Sequence, residues 1–141
     1  MNELMKLARE TSWNRFGRRI TFYLPGMFAC NWTFGRYPSV SVTGADCSLR
    51  CKHCRGKVLL SMTHVLEPDR LVEKCLELDK KGNLGVLISG GSDPGGCLPW
   101  RKFTPAIRQI KARTGLKVSI HSGFVDHPTA LALKDAGVDQ A

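Results

Sequence analysis

Pro38-Ser39-Val40-Ser41-Val42-Thr43-Gly44-Ala45-Asp46-Cys47-Ser48-Leu49-Arg50-Cys51-Lys52-His53-Cys54 carries a short β-branched run straight into three cysteines. The valines, bounded by Pro38 and Gly44, predict a strand over 38–44. The cysteines follow the order Cys47-x3-Cys51-x2-Cys54. A closed structural metal site takes four protein ligands, whereas three leave one position open for something exchangeable. Zinc held with the help of His53, His64 or a remote ligand is the alternative occupant, and unligated thiols are the remaining reading. Zinc ribbons and fingers, however, bring a second ligand pair, and the sequence offers none. Three thiols within eight residues cannot pair evenly as disulfides. The chain opens without a secretory signal or a transmembrane segment, so a reducing, cytoplasmic setting is expected.

Downstream, the pattern repeats one unit. A helix is predicted over 68–81, with Leu71, Cys75 and Leu78 on one face, Pro68 suited to its first turn and Gly82 suited to its stop. An apolar strand over 85–91 follows, then a helix starting near Thr104-Pro105 and ending at Gly115. The third strand is expected over 117–121 and the third helix over 128–136, stopped by Gly137. Strands alternating with helices at this spacing argue for an α/β fold of parallel βαβ units with right-handed crossovers. About three units are present and a fourth strand would begin at 138–141, so the chain reads as truncated, with its third strand an unpaired edge.

Upstream, apolar residues at 4, 5, 7 and 8 predict a short helix over 2–10, read as a lid or brace. A short strand is expected over 19–24, broken by Pro25-Gly26. An aromatic connection over 27–37 contains Phe28, Trp32, Phe34 and Tyr37, and is expected to pack over one mouth of the core. The expected division is an N-terminal extension over 1–37 and a core domain over 38–141.

The chain has 141 residues, of which 43% are hydrophobic and 23% charged, enough for one buried core in an ordinary globular protein. Its formal charge of +9 favours anionic partners. The basic residues are dispersed, with no long run or aromatic-interleaved stripe, so a solvated face is favoured over a nucleic-acid surface.

The spacing Cys47-x3-Cys51-x2-Cys54, followed by a βα pattern, resembles the radical S-adenosylmethionine (radical SAM) superfamily. The resemblance implies the N-terminal part of a parallel (β/α) partial barrel, and a [4Fe–4S] cluster held by Cys47, Cys51 and Cys54. It implies SAM on the open iron, cleaved by an electron from an external donor. Ligands collect at the C-terminal ends of strands in such barrels. The family's Gly-Gly-Glu motif for the SAM amino group maps to Gly90, Gly91 and Ser92, with Asp93 one place after the missing acid. His53 stands where an aromatic residue near adenine is common; a solvent-exposed histidine is its other reading. His121 ends the third strand, as a ligand contact or as a packed residue. Cys75 reads as a core hydrophobe, while Cys30 and Cys97 are too few to define a second cluster. No catalytic side chain is assigned.

The run Phe22-Tyr23-Leu24-Pro25-Gly26-Met27, the stretch from Tyr37 to Gly44, Cys54-Arg55-Gly56-Lys57-Val58-Leu59 and Ser89-Gly90-Gly91-Ser92-Asp93 resemble the biotin-synthase-like subunits of two-component lipoyl synthases. That resemblance implies sulfur insertion into an octanoyl chain on an acidic carrier protein, with a second radical SAM subunit as partner. Other radical SAM chemistry, such as methyl transfer or RNA modification, and a non-catalytic cluster-binding fragment remain as alternatives.

Overall fold

The computed structural model describes residues 2–19, 26 and 29–141. Its elements in chain order are α1 (Glu3–Phe16), β1 (Ala29–Cys30), β2 (Thr33–Phe34), β3 (Ser39–Ser41), a 3-10 turn (Lys57–Ser61), β4 (Thr63–His64), α2 (Pro68–Lys80), β5 (Gly85–Ser89), α3 (Trp100–Arg113), β6 (Lys117–Ile120) and α4 (His127–Asp135). The architecture is mixed α/β. A four-stranded sheet has the order β4-β3-β5-β6, and every pairing in it is parallel.

Residue alternation along the strands sorts their side chains onto two faces. Val40, Val42, Val86, Ile88, Val118 and Ile120 join the core with Leu71, Val72, Cys75 and Leu78 of α2 and Phe103, Ile107 and Ile110 of α3. The other face carries Ser39, Ser41, Leu87, Ser89 and Ser119, of which Ser39, Ser41 and Ser89 are buried. Full burial of a side chain such as Phe103 or Ile107 contributes about 1.5–3 kcal/mol.

Three expectations change in detail. Helix α3 starts at Trp100, ahead of the expected Thr104-Pro105, because Trp100, Phe103 and Thr104 are pulled into the core and Pro105 falls inside the helix. The outer flank of β6 is engaged: Ser119 bridges Gln140 in parallel, Ile120 N–H donates to Gln140 O at 2.9 Å, and Asp139 N–H donates to Val118 O at 2.8 Å. Strand β4, two exposed residues long, was not expected at all.

Helix α1 forms with Asn2 Oδ1 capping Leu4 N–H, and runs six residues past the predicted end. None of its residues is fully buried. Local contacts support it instead, with the Arg9 and Arg18 guanidiniums lying 5.1 and 4.4 Å from the Trp13 ring centre. The strand expected over 19–24 lies, apart from Arg19, outside the described residues.

The aromatic connection is a small antiparallel hairpin, β1 with β2, turned by Asn31 and Trp32 at φ 50° and 64°. Both turn residues are left-handed, the geometry that matches strand twist in a two-residue hairpin. Trp32 is 98% exposed and Phe34 68%, so these rings do not pack on the core as expected. Tyr37 does: its hydroxyl lies 2.8 Å from Ser119 Oγ, and its ring covers Gly85, at the N-terminal ends of β5 and β6.

Candidate functional site

The C-terminal ends of three parallel strands carry the loops in which the sequence concentrates its chemistry. After β3 come residues 42–56 with the three cysteines, after β5 residues 90–99, and after β6 residues 121–126. A cleft of about 270 Å³ opens between the first two, lined by Thr43, Asp46, Cys47, Gly91, Ser92 and Asp93 among others.

The cysteine loop is seated directly on Gly91. A Cβ built there would come within 2.5 Å of Cys47 Cβ and 2.6 Å of Cys47 Cα, and would overlap the Asp46 carbonyl oxygen. Only glycine allows the two backbones to approach this closely. Two polar links fix the register: Ser48 N–H donates to Ser92 O at 2.8 Å, and Gly91 N–H donates to Thr43 Oγ1 at 2.6 Å. Thr43 Oγ1 in turn donates to Asp46 O at 3.1 Å. Gly90 packs against Thr43 and Leu98, where a Cβ would meet atoms at 3.0–3.3 Å.

Within the loop, Arg55 N–H donates to Cys51 O at 2.8 Å and Lys57 N–H to Cys54 O at 2.8 Å. Gly44 and Gly56 turn the chain at φ 64° and 77°; Arg50 and Arg55 do so at 39° and 50°. Cys51 is exposed, Cys47 and Cys54 are half-buried, and all six cysteines are free thiols. The Arg50 backbone amide lowers the Cys47 thiol below its ordinary range against the opposing effect of partial burial. The amides of Ser92 and Leu49 and the Arg50 charge add to the lowering.

The remaining candidates divide. Ser92 and Asp93 line the cleft, and Asp93 Oδ1 accepts Cys97 N–H at 2.9 Å, closing its own loop. His53 is exposed and lines neither the cleft nor the neighbouring cavity. His121 Nδ1 lies 3.1 Å from Ser89 Oγ at the ends of β6 and β5. Cys97 lines the cleft and bridges Gly123, joining the second and third loops. Cys75 is fully buried, and burial pushes its thiol up to about 12, so it behaves as a core residue.

Two residues escaped the sequence reading. Thr43 ties the cysteine loop to the glycine loop, and Trp100, 1% exposed, donates from Nε1 to Ser122 O at 2.7 Å to hold the third loop. A threonine at a strand end has no distinguishing signature. The tryptophan lay before the proline that was read as the helix start.

A bound iron–sulfur cluster would need thiolates and an opening. The loop supplies three free thiols, two of them half-buried, and one of these, Cys47, lines the open cleft and is biased toward the form that ligates metal. Among the described residues no three Cys, His, Asp or Glu side chains gather around a point fit for one metal ion. A cubane takes each thiolate on a separate iron, so its ligands need not converge as they do on a single ion. The donor set therefore fits a cluster in kind and number.

No protein-family model matches the sequence. The chain is 31% identical over 96 residues to the biotin synthase of Geotalea uraniireducens (strain Rf4), an alignment covering 67% of the chain and 29% of that protein. It is 29% identical over 146 aligned residues to the biotin synthase of Geotalea daltonii (strain DSM 22248 / JCM 15807 / FRC-32), covering 97% of the chain and 42% of that protein. This similarity supports the radical SAM superfamily. The chain spans less than half the length of either relative. Among the described residues no helix is long and apolar enough to cross a membrane.

Proposed function

We propose that this chain is the cluster-bearing, SAM-binding part of a radical SAM enzyme, with Cys47, Cys51 and Cys54 as the cluster ligands. The observation that carries the reading is the seating of the cysteine loop on Gly91, which sets Cys47 in the cleft floored by the loop after β5. When bound, the cluster and SAM supply one-electron cleavage of a C–S bond, giving methionine and a 5′-deoxyadenosyl radical for hydrogen abstraction.

The protein's part is placement and exclusion of water. Gly90 and Gly91, packed against Thr43, Leu98 and Cys47, border the place where the methionine end of SAM would rest, and Ser92 with Asp93 occupy the position of the usual acid. His53 is the flat, exposed ring of the cysteine loop, available to stack on adenine. The parallel sheet is, on this reading, the first part of a partial barrel over 38–141, with 1–37 as an extension, working in the cytoplasm.

The finer proposal is sulfur insertion of the lipoyl-synthase type, with an octanoylated acidic carrier, a second radical SAM subunit and an external electron donor as partners. The charge of +9 supports it, since a basic enzyme and an acidic carrier attract each other before contact. The test is 5′-deoxyadenosine formation by the reconstituted chain with dithionite and SAM, with and without an octanoylated carrier domain, across a salt series. Stimulation by the carrier that fades as salt rises is expected. Stimulation by RNA instead, with a steep salt slope, would move the reading to RNA modification. Turnover indifferent to the carrier at every salt concentration would end the lipoyl-type proposal.

A further inference from the structure

A second cavity, of about 110 Å³, adjoins the cysteine loop and shares only Cys47 with the cleft. Its charged lining is Arg50, Arg55 and Lys57, with Gly56 between the last two, and it contains no carboxylate. We propose that this cavity is an oxyanion-binding site, taking the phosphate or carboxylate group of an acidic ligand on Arg50, Arg55 and Lys57.

Three observations converge on it. First, among the described residues seven ion pairs join basic side chains to Asp or Glu, and Arg50, Arg55 and Lys57 take part in none of them. The nearest carboxylate in sequence, Asp46, lines the cleft instead. Three cations, all solvent-exposed, around one cavity without a carboxylate favour an anion there. Second, Arg50 and Arg55 both occupy left-handed backbone conformations, which cost a non-glycine residue free energy and persist where a function uses them. Third, the size is sufficient. The space, about 110 Å³, has room for an oxyanion with part of its hydration. Guanidinium groups present paired N–H donors that match both phosphate and carboxylate oxygens. Arg50 also acts on the Cys47 thiol, but a single thiol does not account for three cations.

Cys47 lines this cavity and is also a proposed cluster ligand, so the anion is titrated into the reduced, metal-free chain, in which that thiol is free. Inorganic phosphate and, separately, acetate are titrated at constant ionic strength while backbone amide resonances are followed by NMR. Saturable shifts centred on Arg50, Arg55, Gly56 and Lys57 are expected. Saturation by phosphate alone would mark a phosphate group as the ligand, and saturation by acetate alone a carboxylate. The variant Arg55→Gly removes the guanidinium while its backbone keeps a conformation that glycine adopts freely, so the fold is preserved. It should bind at least about tenfold more weakly, the loss of one charge-assisted contact. Arg113→Gln, an exposed cation at the end of α3, should bind as the parent does. Shifts that stay linear in both anions, or equal affinity in Arg55→Gly and parent, would overturn the assignment.

Discussion

Replacing Gly91 by alanine tests the joint between the two loops that form the cleft. The added methyl would meet Cys47 Cβ at 2.5 Å and Cys47 Cα at 2.6 Å, with the Asp46 carbonyl oxygen closer still. Carbon atoms in contact prefer about 3.5–4.0 Å, so the cysteine loop must lift by roughly an ångström. The obstacles include backbone atoms, which cannot swing aside as a flexible side chain can. Overpacking of this kind costs about 1–3 kcal/mol, and the double collision puts Gly91→Ala toward the upper end. For a chain of this size that corresponds to a melting temperature lowered by about 4–12 °C. Lifting the loop also strains the Ser48–Ser92 and Thr43–Gly91 hydrogen bonds, so iron uptake on anaerobic reconstitution should fall along with stability. Gly95→Ala is the control: its nearest contact is Asp93 Oδ1 at 3.3 Å and its φ is not left-handed, so a change within about 0.5 kcal/mol is expected. The assays are thermal unfolding of the metal-free protein and iron content after reconstitution. A Gly91→Ala protein as stable and as iron-competent as the parent would refute the seating argument.

Thr43→Val keeps the shape but leaves Gly91 N–H without its acceptor, so denaturant unfolding should show a loss of about 1–3 kcal/mol. Burial opposes ionisation of Asp139, but hydrogen bonds from Lys111, Val118 N–H and Lys117 outweigh it and bring the carboxyl from 3.8 down to about 2. Its contribution is therefore complete above pH ~4 and lost as pH falls toward ~2; in Asp139→Asn that stretch of the stability–pH curve should flatten in a circular-dichroism titration. Cys75, buried and with its thiol pushed up to about 12, should resist iodoacetamide at pH 8 in the native metal-free protein while exposed Cys51 reacts. Peptide mass spectrometry reads both, and labelling of Cys75 at the rate of Cys51 would mean that the core opens.

The parts of the fold legible in the sequence were those where one physical requirement dominates. The apolar run of β5 had to be buried, and α2 repeats its apolar residues at helical spacing between Pro68 and Gly82, so both were readable within two residues. The glycines after β5 were identified by resemblance, while the contact that demands one of them, Gly91 under Cys47, emerged only from the packing. Strand β4 left no trace because two exposed residues carry no burial pattern; it exists through its pairing with β3. The start of α3 was hidden by Pro105, whose local preference was overridden by burial of Trp100 and Phe103. In the candidate site the thiols declared themselves by spacing. The basic cavity did not, because Arg50, Arg55 and Lys57 look like any dispersed surface charge until the loop folds them around one space.

The central claim is that Cys47, Cys51 and Cys54 hold a [4Fe–4S] cluster with one iron open to SAM. It is tested most directly by electron paramagnetic resonance of the anaerobically reconstituted, dithionite-reduced chain, recorded with and without SAM. The account predicts a [4Fe–4S]⁺ signal that changes on SAM addition and is absent from the variants Cys47→Ser, Cys51→Ser and Cys54→Ser, but is kept in Cys75→Ala. A protein that retains zinc and assembles no cluster, or whose cluster survives loss of those thiols, would contradict it.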